Sequence, residues 1–212
     1  MKMSWRLASR LSVITMALLI VVVVALWGMR NNSGGTSANT GTSPLSGLQG
    51  TDLGSTAAPD FHLTDQFGKQ VSLSQFHGEP VVLTFLYAHC PDVCPLTAET
   101  LHATQVQLGK SASHVMMLAV SVDPKGDTQA AVQTFSTAHK LTSNWHYLIG
   151  TQSELAPVWN SYSIYAQPSD TTTSMHTSAV YVIDKMGRER VLFSDGFTAA
   201  QLETDLKVLL AE

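Results

Sequence analysis

The sequence predicts an α/β fold in which a central mixed sheet carries helices on both faces. Along residues 59–212, apolar runs typical of buried strands alternate with segments of helical periodicity. An N-terminal β-hairpin pattern precedes the first long strand, and a second hairpin followed by an amphipathic helix closes the chain. An uncharged apolar stretch near the N-terminus predicts one transmembrane helix ahead of this domain.

The N-terminal segment has the pattern of a membrane anchor. Residues 1–10 form a basic leader with Lys2, Arg6 and Arg10, and residues 11–29 contain no charged side chain. A helix of that length spans ~29 Å, about the hydrocarbon thickness of a bilayer. Because the basic residues precede the span, the leader is expected in the cytoplasm and the rest of the chain outside. No small-residue cleavage site follows, which favours an uncleaved anchor over a signal peptide.

Residues 31–58 are expected to be a flexible linker. Asn, Ser, Gly and Thr dominate this segment, and such a composition buries too little apolar surface to offset the entropy of ordering. A stalk that packs on the domain is the alternative. The folded domain is therefore expected to cover residues 59–212.

The chain has a net charge of -4 and no Lys- or Arg-rich block, which argues against nucleic acid as a partner.

Within that domain each element has its own signal. Strands are predicted from alternating or continuous apolar residues at 61–63, 71–73, 81–87, 115–122, 145–149, 178–184 and 190–193. Helices are predicted from capping residues and periodicity at 95–108, after Asp127 or Thr128, after the capping box 151–154 and after the capping box 198–201. The tract 162–175 is expected to be an irregular surface loop.

Cys90 and Cys94 are the two cysteines of the chain, and they directly follow the predicted strand at 81–87. Each precedes a proline, and a residue before proline is disfavoured in the helical region. Cys94 is therefore expected to be a cap residue, with Pro95 in the first turn of the following helix. A helix N-terminus favours the thiolate form through its free amides and its dipole. A dithiol between a strand and a helix is also the layout of a thioredoxin-like fold.

Three interpretations of the cysteine pair remain open from the residues alone. An oxidising compartment permits a structural disulfide, although so short a loop would restrain little of the unfolded chain. An exposed dithiol with a low pKa suits thiol–disulfide exchange, although the spacing exceeds that of Cys-x-x-Cys by one residue. Two thiolates with a histidine would select Cu(I) above all, and Zn(II) less specifically.

His176 is the candidate third ligand among eight histidines. It stands just before the strand at 178–184, at a junction that faces the dithiol in a thioredoxin-like fold and there normally carries a cis-proline. Residues 174–177 contain no proline, although a surface histidine is the plain alternative. Met175 is a soft donor beside it that also suits a filling role in the core or loop. Asp123, after the strand at 115–122, is interpreted either as an acceptor that orients a ligand or as a turn residue.

Three parts of the sequence together resemble the Sco/SenC family. They are Cys90-Pro91-Asp92-Val93-Cys94-Pro95, the segment Ser121-Val122-Asp123-Pro124 with Asp127-Thr128, and His176 before residues 179–184. Members of that family are membrane-anchored, thioredoxin-fold copper chaperones that help to assemble the copper centre of cytochrome c oxidase subunit II. The resemblance covers about residues 59–212. Gln129 stands where the family often has proline, which concerns a helix start and none of the ligands.

The resemblance implies a copper chaperone in which Cys90, Cys94 and His176 bind copper and Asp123 is an acidic residue near the site. The implied partner is cytochrome c oxidase subunit II or another copper acceptor. The alternative is a thiol–disulfide oxidoreductase that reduces the cysteines of such an acceptor. A peroxidase fits less well, because Tyr87 occupies the place of the peroxidase threonine. The short basic leader favours a bacterial cytoplasmic membrane, with the domain in the periplasm, over a mitochondrial inner membrane.

Overall fold

The computed structural model describes residues 47–167 and 175–212. The predicted leader at 1–10 and the predicted membrane span at 11–29 lie outside these residues. In the part of the chain that is described, none of the helices combines the length and the apolar character that crossing a bilayer requires. The description that follows therefore concerns the domain that carries the cysteines.

The described strands lie in two sheets. In chain order they are β1 Thr51–Ala57, β2 His62–Asp65, β3 Gln70–Ser72, β4 Val81–Leu86, β5 Met116–Ser121, β6 Trp145–Ile149, β7 Ala166–Gln167, β8 Met175–His176, β9 Val180–Ile183 and β10 Arg188–Phe193. The main sheet has the order β1-β10-β9-β4-β5-β6-β2-β3, and β7 pairs with β8 separately. Strands β4, β5 and β6 are parallel, whereas the other pairs are antiparallel. The prediction of a mixed α/β fold is confirmed.

Four α-helices complete the described domain, and their starts follow the capping signals of the sequence. They are α1 Val93–Leu108, α2 Gln129–Ala138, α3 Gln152–Ser161 and α4 Ala199–Ala211. The Thr128 side chain caps α2, and capping boxes open α3 and α4 as predicted. Helix α1 ends at Gly109, whose φ of 56° suits glycine. Short 3-10 turns cover Leu73–Phe76 and Gly109–His114.

Strand β4 is the centre of the core and leads directly to the cysteines. All six of its residues are buried, because β5 and β9 flank it in the sheet. A strand buried on both faces needs an apolar side chain at nearly every position, which explains the continuous run in the sequence. Helices α1 and α4 pack against each other beside this sheet. The end of β4 is therefore a rigid platform for the residues that follow it.

The predicted linker at 31–58 overlaps the folded domain and is corrected here at its C-terminal part. Strand β1 pairs with β10 along the edge of the main sheet. Just before β1, Leu48 is buried, and the amides of Gln49 and Gly50 donate to the Asp205 carboxylate at 2.7 and 3.1 Å. The folded domain therefore includes residues 48–57, which the prediction had placed in the linker. Composition hides this strand, because most of its side chains are exposed and its stability comes from backbone hydrogen bonds.

The tract expected to be an irregular loop contains a short hairpin. Ala166 pairs with His176 and Gln167 pairs with Met175, so β7 and β8 form a two-stranded antiparallel sheet. The intervening residues 168–174 lie outside the described part of the chain. Two-residue strands leave no alternation of apolar and polar side chains, so periodicity cannot reveal them.

Candidate metal centre

The cysteines lie between the end of β4 and the first turn of α1, as predicted, but Cys94 is not the cap. Asp92 is the N-terminal cap residue and Cys94 is the second residue of the helix. The expectation from the following proline is therefore wrong for Cys94. Pro95, the third helical residue, has no N–H to leave unsatisfied, and the first turn tolerates it. Because the helix begins so close to β4, Cys94 becomes fully buried in the first turn.

Cys90 lies on a tight turn between β4 and α1. Its backbone amide donates to the Tyr87 carbonyl at 3.2 Å, which closes the turn. The backbone amide of Cys94 in turn donates to the Sγ of Cys90 at 3.4 Å. Both cysteines are free thiols, and Cys90 keeps 8% of its surface exposed while Cys94 is inaccessible. Cys90 is therefore the outer thiol of the pair.

The two thiols differ in the form that their surroundings stabilise. The hydrogen bond from Cys94 lowers the pKa of Cys90 to about 5 against the effect of burial, helped by the amides of Asp92 and Cys94 and by the Tyr87 side chain. The same interaction with Cys90, together with burial, raises the pKa of Cys94 well above its ordinary value. The surroundings therefore favour the thiolate form at Cys90 and the protonated form at Cys94.

His176 approaches the cysteines from the hairpin of β7 and β8. Its Nε2 lies 3.8 Å from the Sγ of Cys94. Its Nδ1 lies 3.0 Å from the carbonyl oxygen of Thr177. A carbonyl accepts and does not donate, so this bond requires a proton on Nδ1. In the neutral ring the lone pair is then on Nε2, which faces Cys94, and this is the state that a metal-binding histidine needs.

The distance between Cys94 and His176 is close to that between two ligands of one metal ion. Sulfur and nitrogen ligands at about 2.3 and 2.0 Å from one ion stand about 3.5 Å apart at tetrahedral angles. The separation of Cys94 and His176 exceeds this by only a few tenths of an ångström. Across residues 47–167 and 175–212, however, no three His, Cys, Asp or Glu side chains already form a cluster ready to hold an ion. Cys90 or His176 would therefore have to move for the three side chains to hold one ion.

Asp123 forms the turn after β5. One oxygen of its carboxylate accepts from the amides of Lys125 and Gly126 at 3.3 and 3.0 Å. A Cβ atom at Gly126 would lie 2.2 Å from the other oxygen, so glycine is required beside this carboxylate. These contacts correspond to the turn interpretation of Asp123. A role in orienting a copper ligand stays a prediction.

Asp127 is the site residue that sequence reasoning missed. Its buried carboxylate accepts hydrogen bonds from the amide of Ala88 at 2.8 Å, the hydroxyl of Ser121 at 2.6 Å and the hydroxyl of Tyr147 at 3.3 Å. Burial raises the pKa of Asp127 to about 6, although these bonds oppose the shift. The sequence had offered Asp127 as a possible helix cap, but Thr128 takes that role. Asp127 instead anchors the turn that carries Cys90.

The SCO1/SenC family model matches residues 49–211 of the chain. Among curated relatives, the mitochondrial SCO2 homologue of Bos taurus is 31% identical over 153 residues, which are 67% of this chain and 54% of the relative. The SCO1 homologue of Bacillus subtilis is 29% identical over 134 residues, or 60% of this chain and 68% of the relative. The chain thus spans about half the length of the mitochondrial relatives it matches.

A solved structure gives the same picture in three dimensions. The copper-bound ScoI of Bradyrhizobium japonicum superimposes with a TM-score of 0.65 and is 33% identical. The match covers 73% of this chain and 99% of that one. The likeness therefore extends over nearly the whole of the solved domain.

Proposed function

Because the chain belongs to the SCO1/SenC family, we propose that it is a copper chaperone with Cys90, Cys94 and His176 as its ligands. The observation that carries the proposal is the approach of His176 Nε2 to Cys94 Sγ at 3.8 Å, with the other ring nitrogen held by a carbonyl. The copper bound to the ScoI of Bradyrhizobium japonicum supports the choice of metal. Copper is the cargo in this proposal and leaves the site when the acceptor receives it.

The donor set favours copper on chemical grounds. Thiolate sulfur is soft and selects Cu(I), and imidazole is a good ligand for copper in either oxidation state. Structural zinc sites are almost always closed by four protein ligands, and this site offers three. Copper binding has to displace the proton that Cys94 holds, whereas Cys90 is already a thiolate at neutral pH. The binding reaction is therefore the exchange of one proton for one Cu(I).

The proposal also includes an acceptor and a location. The acceptor is cytochrome c oxidase subunit II or another copper protein, since the family acts in oxidase assembly. Residues 11–29 would anchor the chain in a bacterial cytoplasmic membrane and leave residues 47–212 in the periplasm. The SCO1 homologue of Bacillus subtilis shows that the family occurs in bacteria, which supports the bacterial part of this proposal.

A second candidate function is reduction of a disulfide in the acceptor, and the asymmetry of the two thiols favours it. The Cys90 thiolate would attack one acceptor sulfur, form a mixed disulfide and release the other sulfur as a thiolate. Cys94 would then lose its proton, attack Cys90 Sγ and release the second acceptor sulfur. Two electrons pass to the acceptor, and a Cys90–Cys94 disulfide remains. This sequence does not need His176.

The experiment that tests the chaperone proposal is a Cu(I) titration of the reduced full-length chain in detergent against a chromophoric chelator. We expect one Cu(I) per chain. His176→Ala should weaken binding by more than about tenfold, since even the partners of ligands contribute that much. His114→Ala is the matched control, because His114 is exposed on the 3-10 turn before β5. Equal affinity of the wild type and His176→Ala would refute the ligand assignment.

The same variant separates the two functions. In a strain that lacks the protein, His176→Ala should fail to restore oxidase assembly if copper delivery is the function. Cys90→Ser should fail under either function. Full restoration by His176→Ala would favour the reductase.

A further inference from the structure

Tyr87 contacts all three candidate ligands from the end of β4. Its carbonyl accepts from the amide of Cys90 at 3.2 Å. Hydrogen bonding from its side chain lowers the pKa of Cys90, and hydrogen bonding from its backbone opposes the raised pKa of Cys94. Its ring stands perpendicular to the ring of His176, with centroids 5.8 Å apart and an interplanar angle of 87°. Tyr87 is also almost wholly buried, with 3% of its surface exposed.

His176 lies on a short segment that is separate from the main sheet. Strand β8 has two residues and pairs with the two residues of β7, outside the main sheet. The bond from Nδ1 goes to the next residue, Thr177, and so it moves with the segment. It sets the tautomer of the ring but not the position of the ring relative to the cysteines. The perpendicular contact with Tyr87 joins the ring to the buried end of β4.

We propose that Tyr87 is a positioning residue of the copper site, whose ring sets the angle of His176 and whose hydroxyl orients the Sγ of Cys90. This inference rests on the proposed function, since it assigns Tyr87 a role in the same site. The two parts of the side chain do different work. The ring fixes the histidine by an edge-to-face contact, and the hydroxyl donates to the outer thiolate.

Two substitutions separate these roles. Tyr87→Phe keeps the ring and removes the hydroxyl, whereas Tyr87→Leu removes the ring as well. The control is a tyrosine whose hydroxyl group bonds elsewhere. Tyr181 is buried and donates to the carbonyl of Tyr162 at 2.7 Å. Tyr181→Phe therefore reports the loss of a tyrosine hydroxyl away from the site.

The measurements are Cu(I) affinity, the absorption and EPR spectra of the Cu(II) form, and the ring nitrogen signals of His176 in the metal-free full chain by NMR. Tyr87→Phe should lower affinity by about tenfold, the size expected for a charge-assisted bond, and should shift the thiolate-to-copper band. Tyr87→Leu should lower affinity by about 10- to 100-fold and give more than one EPR species. It should also change the His176 ring signals without metal. The Tyr181→Phe control should stay within about twofold, because its hydroxyl group lies outside the set of groups that orients the ligands.

Different results test the role of Tyr87 and the assignment of the copper ligands. If Tyr87→Leu binds copper with wild-type affinity and spectra while His176→Ala does not, Tyr87 has no positioning role and the ligand assignment stands. If the wild type binds no copper, the proposed function fails. The His176 ring signals of the metal-free chain then still test whether Tyr87 positions the histidine. Unchanged His176 signals in Tyr87→Leu would then overturn the inference. Should Tyr87→Leu be unfolded by circular dichroism, Tyr87→Phe gives the decision.

Discussion

The buried carboxylate of Asp127 accepts a hydrogen bond from the amide of Ala88 at 2.8 Å, two residues before Cys90. The loop after β5 is thereby tied to the turn that begins α1. Ser121 and Tyr147 donate to the same carboxylate, so β5 and β6 are joined to this turn as well. The position of Cys90 therefore depends on the Asp127 carboxylate, which holds the turn through the backbone of Ala88.

Protonation of Asp127 should stabilise the fold. Its pKa is raised from 3.8 to about 6, so the folded state binds a proton more tightly than the unfolded state does. The free energy of unfolding should therefore rise as pH falls from about 7 to about 4. Asp127 should contribute up to ~3 kcal/mol to this rise. Urea unfolding of the full-length chain at several pH values measures it. Asp127→Asn should lack this contribution, and a difference between the two proteins that does not change with pH would contradict the prediction.

Copper affinity should rise with pH. Cys90 is ionised above about pH 5, whereas Cys94 keeps its proton at neutral pH because of its bond with Cys90 and its burial. Each Cu(I) bound between pH 7 and 8.5 should then release one proton, so affinity should increase about tenfold per pH unit. Competition titrations at fixed ionic strength give the slope. Cys94→Ser serves as the comparison, since it removes the thiol that releases the proton, and a flat wild-type profile would count against the assignment.

The two thiols should react at different rates in the metal-free protein. Cys90 is partly accessible and has a pKa of about 5, while Cys94 is inaccessible and its pKa is raised. At pH 6.5, iodoacetamide should therefore modify Cys90 first, because the thiolate is the reactive form. Mass spectrometry of tryptic peptides at early times shows which cysteine is labelled. Labelling of both at one rate in the native protein, with denatured protein as the reference, would disprove the asymmetry.

Strand β1 should depend on Asp205. Its buried carboxylate binds the amides of Gln49 and Gly50, so Asp205→Ala leaves two donors unpaired and should cost about 1–3 kcal/mol of stability. In the Asp205→Ala variant, hydrogen exchange should be faster at the β1 amides than at the β4 amides. Asp195→Ala is a suitable control, because Asp195 is exposed in the loop before α4. Slow exchange in β1 of the Asp205 variant would show that the pairing with β10 is sufficient.

The central elements were predictable because their signals are local. Strand β4 is a continuous apolar run, and the boundaries of β6 at Trp145 and Ile149 coincide with the prediction. The capping boxes at Thr151 and Thr198 located the starts of α3 and α4. In each case the information lies within a few residues of the element. Such elements can be predicted from neighbouring residues alone when the apolar pattern and the capping residues indicate the same boundaries.

The missed features depend on residues far apart in the chain. Strand β1 forms because β10 and Asp205 lie beside it, and neither is visible in the composition of residues 51–57. The hairpin of β7 and β8 is too short for periodicity to show. Asp127 looked like a cap residue, and only the folded structure brings it to Ala88 across 39 positions of sequence. Cys94 and His176 were paired by analogy of fold, which supplied the long-range information.

The third candidate ligand lies outside the main sheet, on a strand of two residues, whereas both cysteines follow directly from the most buried strand of the core. The proposed site thus draws two ligands from the core and one from this hairpin. If these residues hold copper, substitutions in the hairpin of β7 and β8 should change copper affinity more than they change the stability of the core. A lineage could therefore adjust release to a new acceptor by altering this hairpin alone, with no compensating change in the core.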